Sequence, residues 1–214
     1  MMKLYGYFRS SAAYRVRIAL NLKGLAYEQV AVNLVSGEQR GEDNLARHPQ
    51  GLVPTFEADD GTRLTQSLAI CEYLDERYSE PPLLPSDAEG RARVRALAQV
   101  IACEIHPLNN LKVLKYLTGD LGLGEDAKLA WYRHWIRDGF EALEVMLASS
   151  PATGTFCHGD APTLADACLV PQVFNARRFE CDLSDYPTLR RIAEHCDTLE
   201  AFQQAAPSVQ PDAR

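Results

Sequence analysis

The chain has 214 residues, 46% of them hydrophobic and 24% charged, with a formal net charge of -7. That composition is ordinary for a globular protein, and the acidic balance argues against nucleic acid as a main partner, since such surfaces need a basic stripe to displace counterions. The N-terminal Met1-Met2-Lys3-Leu4-Tyr5 enters a periodic pattern at once, without an apolar run of signal length. No apolar stretch approaches the ~20 residues that span a bilayer, so a soluble, cytoplasmic chain is expected. The 6 cysteines form no C-x-x-C pair and no zinc-like spacing with histidine. They are expected to be reduced thiols, and no metal is expected.

In chain order, residues 3–8 are short and aromatic, as in a strand. Arg9-Ser10-Ser11 breaks that pattern. From Tyr14 to Lys23 the apolar residues suit a buried helix, ended by Gly24. Residues 27–34 read as a second strand, which makes a βαβ unit with a parallel pair. Ser36 to Pro49 is polar and predicts a loop with one short helix. Leu52 to Phe56 is a strand carrying Pro54, and Asp59-Asp60-Gly61 marks a hairpin leading to Arg63-Leu64-Thr65. Gln66-Ser67 opens an amphipathic helix through Tyr78.

Glu80-Pro81-Pro82-Leu83-Leu84-Pro85 is a proline-rich linker, and beyond it only helical patterns are evident. Long ones run from about Ala88 to Leu117 and from about Glu125 to Ser149. A shorter one runs from Thr163 to about Phe179, with Thr163 and Asp166 placed as a capping box. Smaller ones continue to Ala206. The predicted architecture is an α/β thioredoxin-like domain over residues 1–80, a linker over 81–90, and an all-α domain over 91–214.

Three places in this order could carry chemistry. Val53-Pro54 stands where a thioredoxin-like fold has a cis-proline, which would turn the Val53 backbone outward to pair with an extended peptide. A trans proline at an edge strand is the alternative. Gln66-Ser67 begins a helix, whose free amides and positive dipole end suit a carboxylate, although a serine there can be a plain cap. Together the two segments read as a glutathione site, with the γ-glutamyl carboxylate on Ser67 and the cysteinyl backbone on Val53. Arg9-Ser10-Ser11 lies between the first strand and helix. A hydroxyl there can donate to a thiolate and lower a thiol pKa, or simply cap the helix.

The sequence resembles zeta-class glutathione transferases, the maleylacetoacetate isomerase family, over essentially its whole length. The resemblance rests on the run from Tyr7 to Leu20, on Leu52-Val53-Pro54-Thr55 and on Gln66-Ser67-Leu68-Ala69-Ile70. Further along it rests on His106-Pro107-Leu108-Asn109-Asn110, Leu169-Val170-Pro171-Gln172, Arg178-Phe179 and Gln210-Pro211-Asp212. The family signature S-S-C-x-W-R-V-R-I-A-L is broken twice, by Ala12 for its cysteine and Tyr14 for its tryptophan. Related glutathione-dependent maleylpyruvate isomerases also lack that cysteine, so Ala12 bears on the substrate rather than on the chemistry.

The resemblance implies that Ser10 stabilises the glutathione thiolate, with Ser11 in support. It implies that Gln39, Gln50, Val53, Pro54, Gln66 and Ser67 hold the tripeptide, and that His106 and Asn110 close the site from the helical domain. It gives Arg9 and Arg178 the substrate carboxylates, and Arg178 also an enolate. The implied reaction is isomerisation of maleylacetoacetate to fumarylacetoacetate in aromatic amino-acid catabolism, by reversible thiolate addition, in a homodimer. Maleylpyruvate isomerisation, glutathione transfer to α-haloacids, and a non-catalytic binding module are the alternatives.

Overall fold

The computed structural model describes residues 1–213. They fall into two compact units, Met1–Leu83 with residues 197–213, and Leu84–Cys196. The sequence reading put everything after 91 into one helical domain; the contacts place 197–213 with the first unit. The physical reason is polar as well as apolar. Helix α9 (Glu200–Ala205) receives the Asn21 amide on its Ala201 carbonyl (3.0 Å) and the Arg17 Nε on its Ala205 carbonyl (2.9 Å). Phe202 and Ala205 are buried.

The first unit holds a four-stranded sheet in the order β2-β1-β3-β4. Strands β1 (Met2–Gly6) and β2 (Tyr27–Ala31) are parallel and are joined by helix α1 (Ser11–Leu22). Strand β3 (Thr55–Glu57) runs antiparallel to β1, and β4 (Arg63–Thr65) antiparallel to β3. Leu4 lies opposite Phe56 in this ladder, and both are buried. Gly6 matters to the packing, because a Cβ there would stand only 3.1 Å from that of Ala13 on α1. A short 3-10 turn (Glu38–Arg40) and helix α2 (Glu42–Arg47) precede β3, and α3 (Ser67–Arg77) follows β4.

Helix α1 is buried from Ser11 through Leu20, so its two arginines are core residues. Its C-terminal end is tied down by Lys23. The Lys23 Nζ donates to Asp75 (2.9 Å) and to the carbonyls of Tyr78 (2.6 Å) and Pro81 (2.9 Å). Asp75 in turn accepts from the Leu83 amide at 2.7 Å.

The second unit is helical: α4 (Ala88–Gln99), α5 (Leu111–Thr118), α6 (Glu125–Ala148), α7 (Leu164–Arg178) and α8 (Pro187–Cys196). The pattern read as one helix from Ala88 to Leu117 is broken. A π-helical turn, Val100–Ile105, follows α4, and residues 106–110 form turns before α5. Pro107 has no N–H to continue the helix. The apolar spacing through Val94, Leu97, Ala98, Ile101 and Ile105, all buried, runs straight across the change of winding. Gly139 on α6 makes room for it, since a methyl at that position would collide with the Ile105 side chain.

Thr163 and Asp166 form the expected capping box at the head of α7. Asp166 also accepts from the Cys157 amide at 2.8 Å, and burial pushes its carboxyl above the usual range. All 6 cysteines are free thiols. Among the described residues no helix is long and apolar enough to cross a membrane.

Candidate functional site

In the first unit the candidates gather at the ends of elements. Ser10 is the N-cap of α1, and its Oγ accepts from the Ala13 amide at 3.2 Å. A hydroxyl that accepts through a lone pair keeps its own hydrogen to donate. Its position at the positive end of a twelve-residue helix favours an anion nearby. Ser11 is the first helical residue and is buried. The Ser10 amide closes a turn onto the Tyr7 carbonyl at 2.9 Å.

Arg9 sits in the middle of that turn. Its Nη2 donates to the Tyr7 hydroxyl at 3.0 Å, and its guanidinium lies 4.9 Å from the Phe8 ring centre. Its Nε is buried without a hydrogen-bond partner. A cation packed on aromatic faces is held in place yet keeps its charge.

The Val53-Pro54 peptide is cis, and Val53 lies just before β3, outside its ladder. Asn44, buried in α2, donates its side-chain amide to the carbonyls of Gln39 (3.1 Å) and Leu52 (3.2 Å). It thereby ties the Gln39 and Val53 segments together. Gln39 is itself buried, and its Oε1 has no protein partner.

Gln66 Nε2 donates to Gln50 Oε1 at 2.9 Å. Gln66 holds a left-handed backbone with φ of 69°, just ahead of α3. For a residue with a Cβ this conformation is strained, and such strain concentrates where a backbone must be aimed. Ser67 opens α3, and its Oγ accepts from Arg15 Nη1 at 3.2 Å. Arg15 is 1% exposed, with Nε and Nη2 unpartnered. Helix α1 thus carries both the Ser10 cap and the cation behind Ser67.

The second unit brings its own candidates together through α6. His106 follows the π-helical turn, and Asn110 is the N-cap of α5, its Oδ1 accepting from the Lys112 amide at 3.1 Å. Arg178 is the last residue of α7, exposed, with its guanidinium 4.9 Å from the Phe179 ring centre. Trp131 Nε1 donates to the Leu108 carbonyl at 2.9 Å, and the Asn109 amide donates to the Tyr132 carbonyl at 3.1 Å. Tyr132 stacks on Phe179 at 3.7 Å, while Arg133 Nε donates to the Phe179 carbonyl at 2.9 Å. Residues 131–133 therefore fix both the 106–110 turn and the end of α7. Burial raises the Tyr132 phenol well above its ordinary value, against the pull of the Arg178 charge.

Sequence reasoning grouped Arg15 and Arg17 with basic residues of mostly solvated helix faces, whereas both are buried, and it missed Trp131, Tyr132, Arg133 and Asn44. The signal for Arg15 was available: a charge inside a helix that is apolar on every side must find a buried partner. The α6 residues carry no such signal, since two aromatics and an arginine on a long helix are ordinary.

Residues 4–82 match the family described as "Glutathione S-transferase, N-terminal domain". A probable maleylacetoacetate isomerase of Vibrio cholerae is 52% identical, over 98% of this chain and 97% of the relative. A solved maleylpyruvate isomerase, a bacterial zeta-class glutathione transferase in holo form, superposes with a TM-score of 0.96 at 49% identity, covering 99% of this chain and 100% of that one. A maleylacetoacetate isomerase of Methylobacterium extorquens AM1, solved with malonate and glutathione, gives a TM-score of 0.96 at 46% identity, covering 99% of both chains. A sheet of this topology with a capped, buried α1, extended by a helical second unit, together with these matches, places the chain in the glutathione transferase family, in the zeta class that holds both maleylacetoacetate and maleylpyruvate isomerases.

Proposed function

We propose that this chain is a glutathione-dependent isomerase that converts maleylacetoacetate to fumarylacetoacetate. The observation that carries the proposal is the Ser10 hydroxyl, capping α1 while keeping a hydrogen to donate. The residues around it fit the tripeptide. Val53 has its backbone outside the ladder, Gln39 has an unsatisfied buried oxygen, and α3 opens at Ser67 with the buried Arg15 charge behind it.

Glutathione, when bound, supplies a thiolate that adds reversibly to the cis double bond and so makes it a single bond free to rotate. Everything else is done by the chain. Ser10 donates a hydrogen bond that favours the anionic sulfur, and the α1 dipole adds to it. Ser11 supports that end of the helix. Val53 offers its backbone groups to the cysteinyl unit beside the cis Pro54. Gln39, Gln50, Gln66 and Ser67 hold the two ends of the tripeptide. Arg9 holds a substrate carboxylate, packed on Phe8 so that little freedom is lost on binding. Arg178 holds another and offsets negative charge as it develops. His106 and Asn110 orient the complex. On a chain of net charge -7, local cations must offset unfavourable long-range steering of a dianion.

A second substrate, maleylpyruvate, is favoured by the 49% identity to the maleylpyruvate isomerase and by Ala12 in place of the signature cysteine. We extend the proposal to a cytoplasmic homodimer acting in aromatic breakdown, supported by the family relation. The test is kcat/KM for both diketo acids with and without glutathione. Turnover of maleylacetoacetate that needs glutathione and exceeds that of maleylpyruvate is expected. The reverse preference would move the chain to the second substrate. No glutathione-dependent isomerisation of either, with α-haloacid conjugation intact or absent, would overturn the proposal.

A further inference from the structure

The turn that delivers Arg9 and Ser10 is gripped from both sides. The Phe8 amide donates to Asp212 Oδ2 at 2.9 Å, and the Phe8 carbonyl accepts from Arg17 Nη2 at 2.9 Å. The other Asp212 oxygen accepts from Gln29 Nε2 on β2 at 2.8 Å. Arg17 is fully buried in α1 and spends its Nε on the end of α9. The segment carrying Asp212 is itself pinned: Gln210 Nε2 donates to the carbonyls of Gln204 (2.8 Å) and Ala206 (2.9 Å). Phe8 thus has its amide held by a carboxylate 204 positions away in sequence.

We propose that Asp212, acting with Arg17, is a positioning residue that fixes the Tyr7–Ser10 turn and so aims the Ser10 hydroxyl and the Arg9 guanidinium. The geometry calls for an acceptor at one of these places and a donor at the other. A turn between a strand and a helix has backbone groups that neither element satisfies. An N–H bound to a carboxylate and a C=O bound to a guanidinium are held by charge-assisted bonds, which are short and strong. The Arg17 charge is costly where it sits. Burial pushes it down to about 10, opposed by Tyr27, Tyr14 and Asp212. A plain apolar residue would fill that space in α1 without that cost, and it would leave the Phe8 carbonyl unheld. The C-terminal segment, on this account, is a working part of the thiolate site.

The inference rests on the role given to Ser10, so both are tested in one series. Wild type, Asp212→Ala, Asp212→Asn and Ser10→Ala are compared by ultraviolet titration of the thiolate of bound glutathione, by glutathione affinity, by melting temperature and by kcat. Asp212→Ala is expected to raise the thiol pKa part of the way that Ser10→Ala does. It should lower kcat roughly three- to thirty-fold, as small misplacements of a reacting group do, with affinity and melting temperature near wild type. Asp212→Asn keeps an oxygen for the Phe8 amide and should recover most of the loss. A thiol pKa in Asp212→Ala equal to wild type, while Ser10→Ala raises it, would overturn the positioning role and leave that of Ser10 standing. A wild-type pKa in Ser10→Ala as well would overturn both.

Discussion

The two units hold their candidate residues in opposite ways. In the first, they stand at the starts of elements: Ser10 caps α1, Ser67 opens α3, and Val53 precedes β3. In the second, two of the three stand where helices stop: His106 follows the π-helical turn and Arg178 ends α7, while Asn110 caps the start of α5. A helix start has donors and a positive field of its own, so a short motif is enough to make an anion site. A helix end offers the reverse, and a cation placed there works only if tertiary packing fixes the end. In this chain α6 does that, through Trp131, Tyr132 and Arg133.

The contrast can be broken first at its firmest point. Lys23→Met should leave the largely buried Asp75 carboxylate without its cation, in a unit whose α1 end depends on the pair. Breaking such a pair costs about 3–5 kcal/mol, read by denaturant unfolding. Arg137→Ala, which breaks an exposed pair with Glu141 on α6, should cost less than about 0.5 kcal/mol. Equal costs would mean that Lys23 is not the brace the geometry makes it.

Arg178→Ala tests what the helix ends are for. Removing a charge-assisted contact of roughly 1.5–3 kcal/mol corresponds to a roughly ten- to hundred-fold fall in kcat/KM for the dianion. Conjugation of an uncharged electrophile should change far less. Arg178→Lys should recover only part, since a point charge cannot grip a carboxylate in two places. Equal losses for charged and neutral substrates would assign Arg178 to the fold.

Gly139→Ala probes how the second unit accommodates its helix break. The methyl would meet Ile105 at the π-helical turn, and overpacking of this kind costs about 1–3 kcal/mol. A variant as stable as wild type would show that the turn can shift freely.

The smallest effect is one of pH in the first unit. His48 is buried with Nδ1 unpartnered, and burial holds its pKa below the ordinary 6.5. The unfolded chain then binds more protons than the folded one between that lowered value and 6.5. Stability should therefore fall as pH is lowered through 6.5, and rise as pH is raised through the same window. His48→Leu should flatten that part of the stability curve. An unchanged slope would remove His48 from the account.

The same contrast explains what the sequence reveals. The positions of Ser10, Val53-Pro54 and Gln66-Ser67 were legible because the order of strands and helices and a few residue types determine their surroundings. The capping box at Thr163 and Asp166 was legible for the same local reason. The break after Gln99 was hidden because the apolar spacing continues through Ile101 and Ile105, and spacing does not report a change of winding. The return of 197–213 to the first unit was hidden too. It depends on Arg17 and Asn21 meeting carbonyls of α9, and those contacts span distances in sequence that no periodicity records. Arg15 and Arg17 were visible only as members of a basic cluster, and neither their burial nor their partners, Ser67 and the Phe8 and Ala205 carbonyls, could be read from it.

The central claim is that the first unit holds a glutathione thiol as the reacting group. It is tested most directly by running the isomerisation of maleylacetoacetate with glutathione and with S-methylglutathione, which keeps the tripeptide but has no free thiol. The account predicts turnover with glutathione, none with S-methylglutathione, and competitive inhibition when both are present. Isomerisation sustained by S-methylglutathione would contradict it.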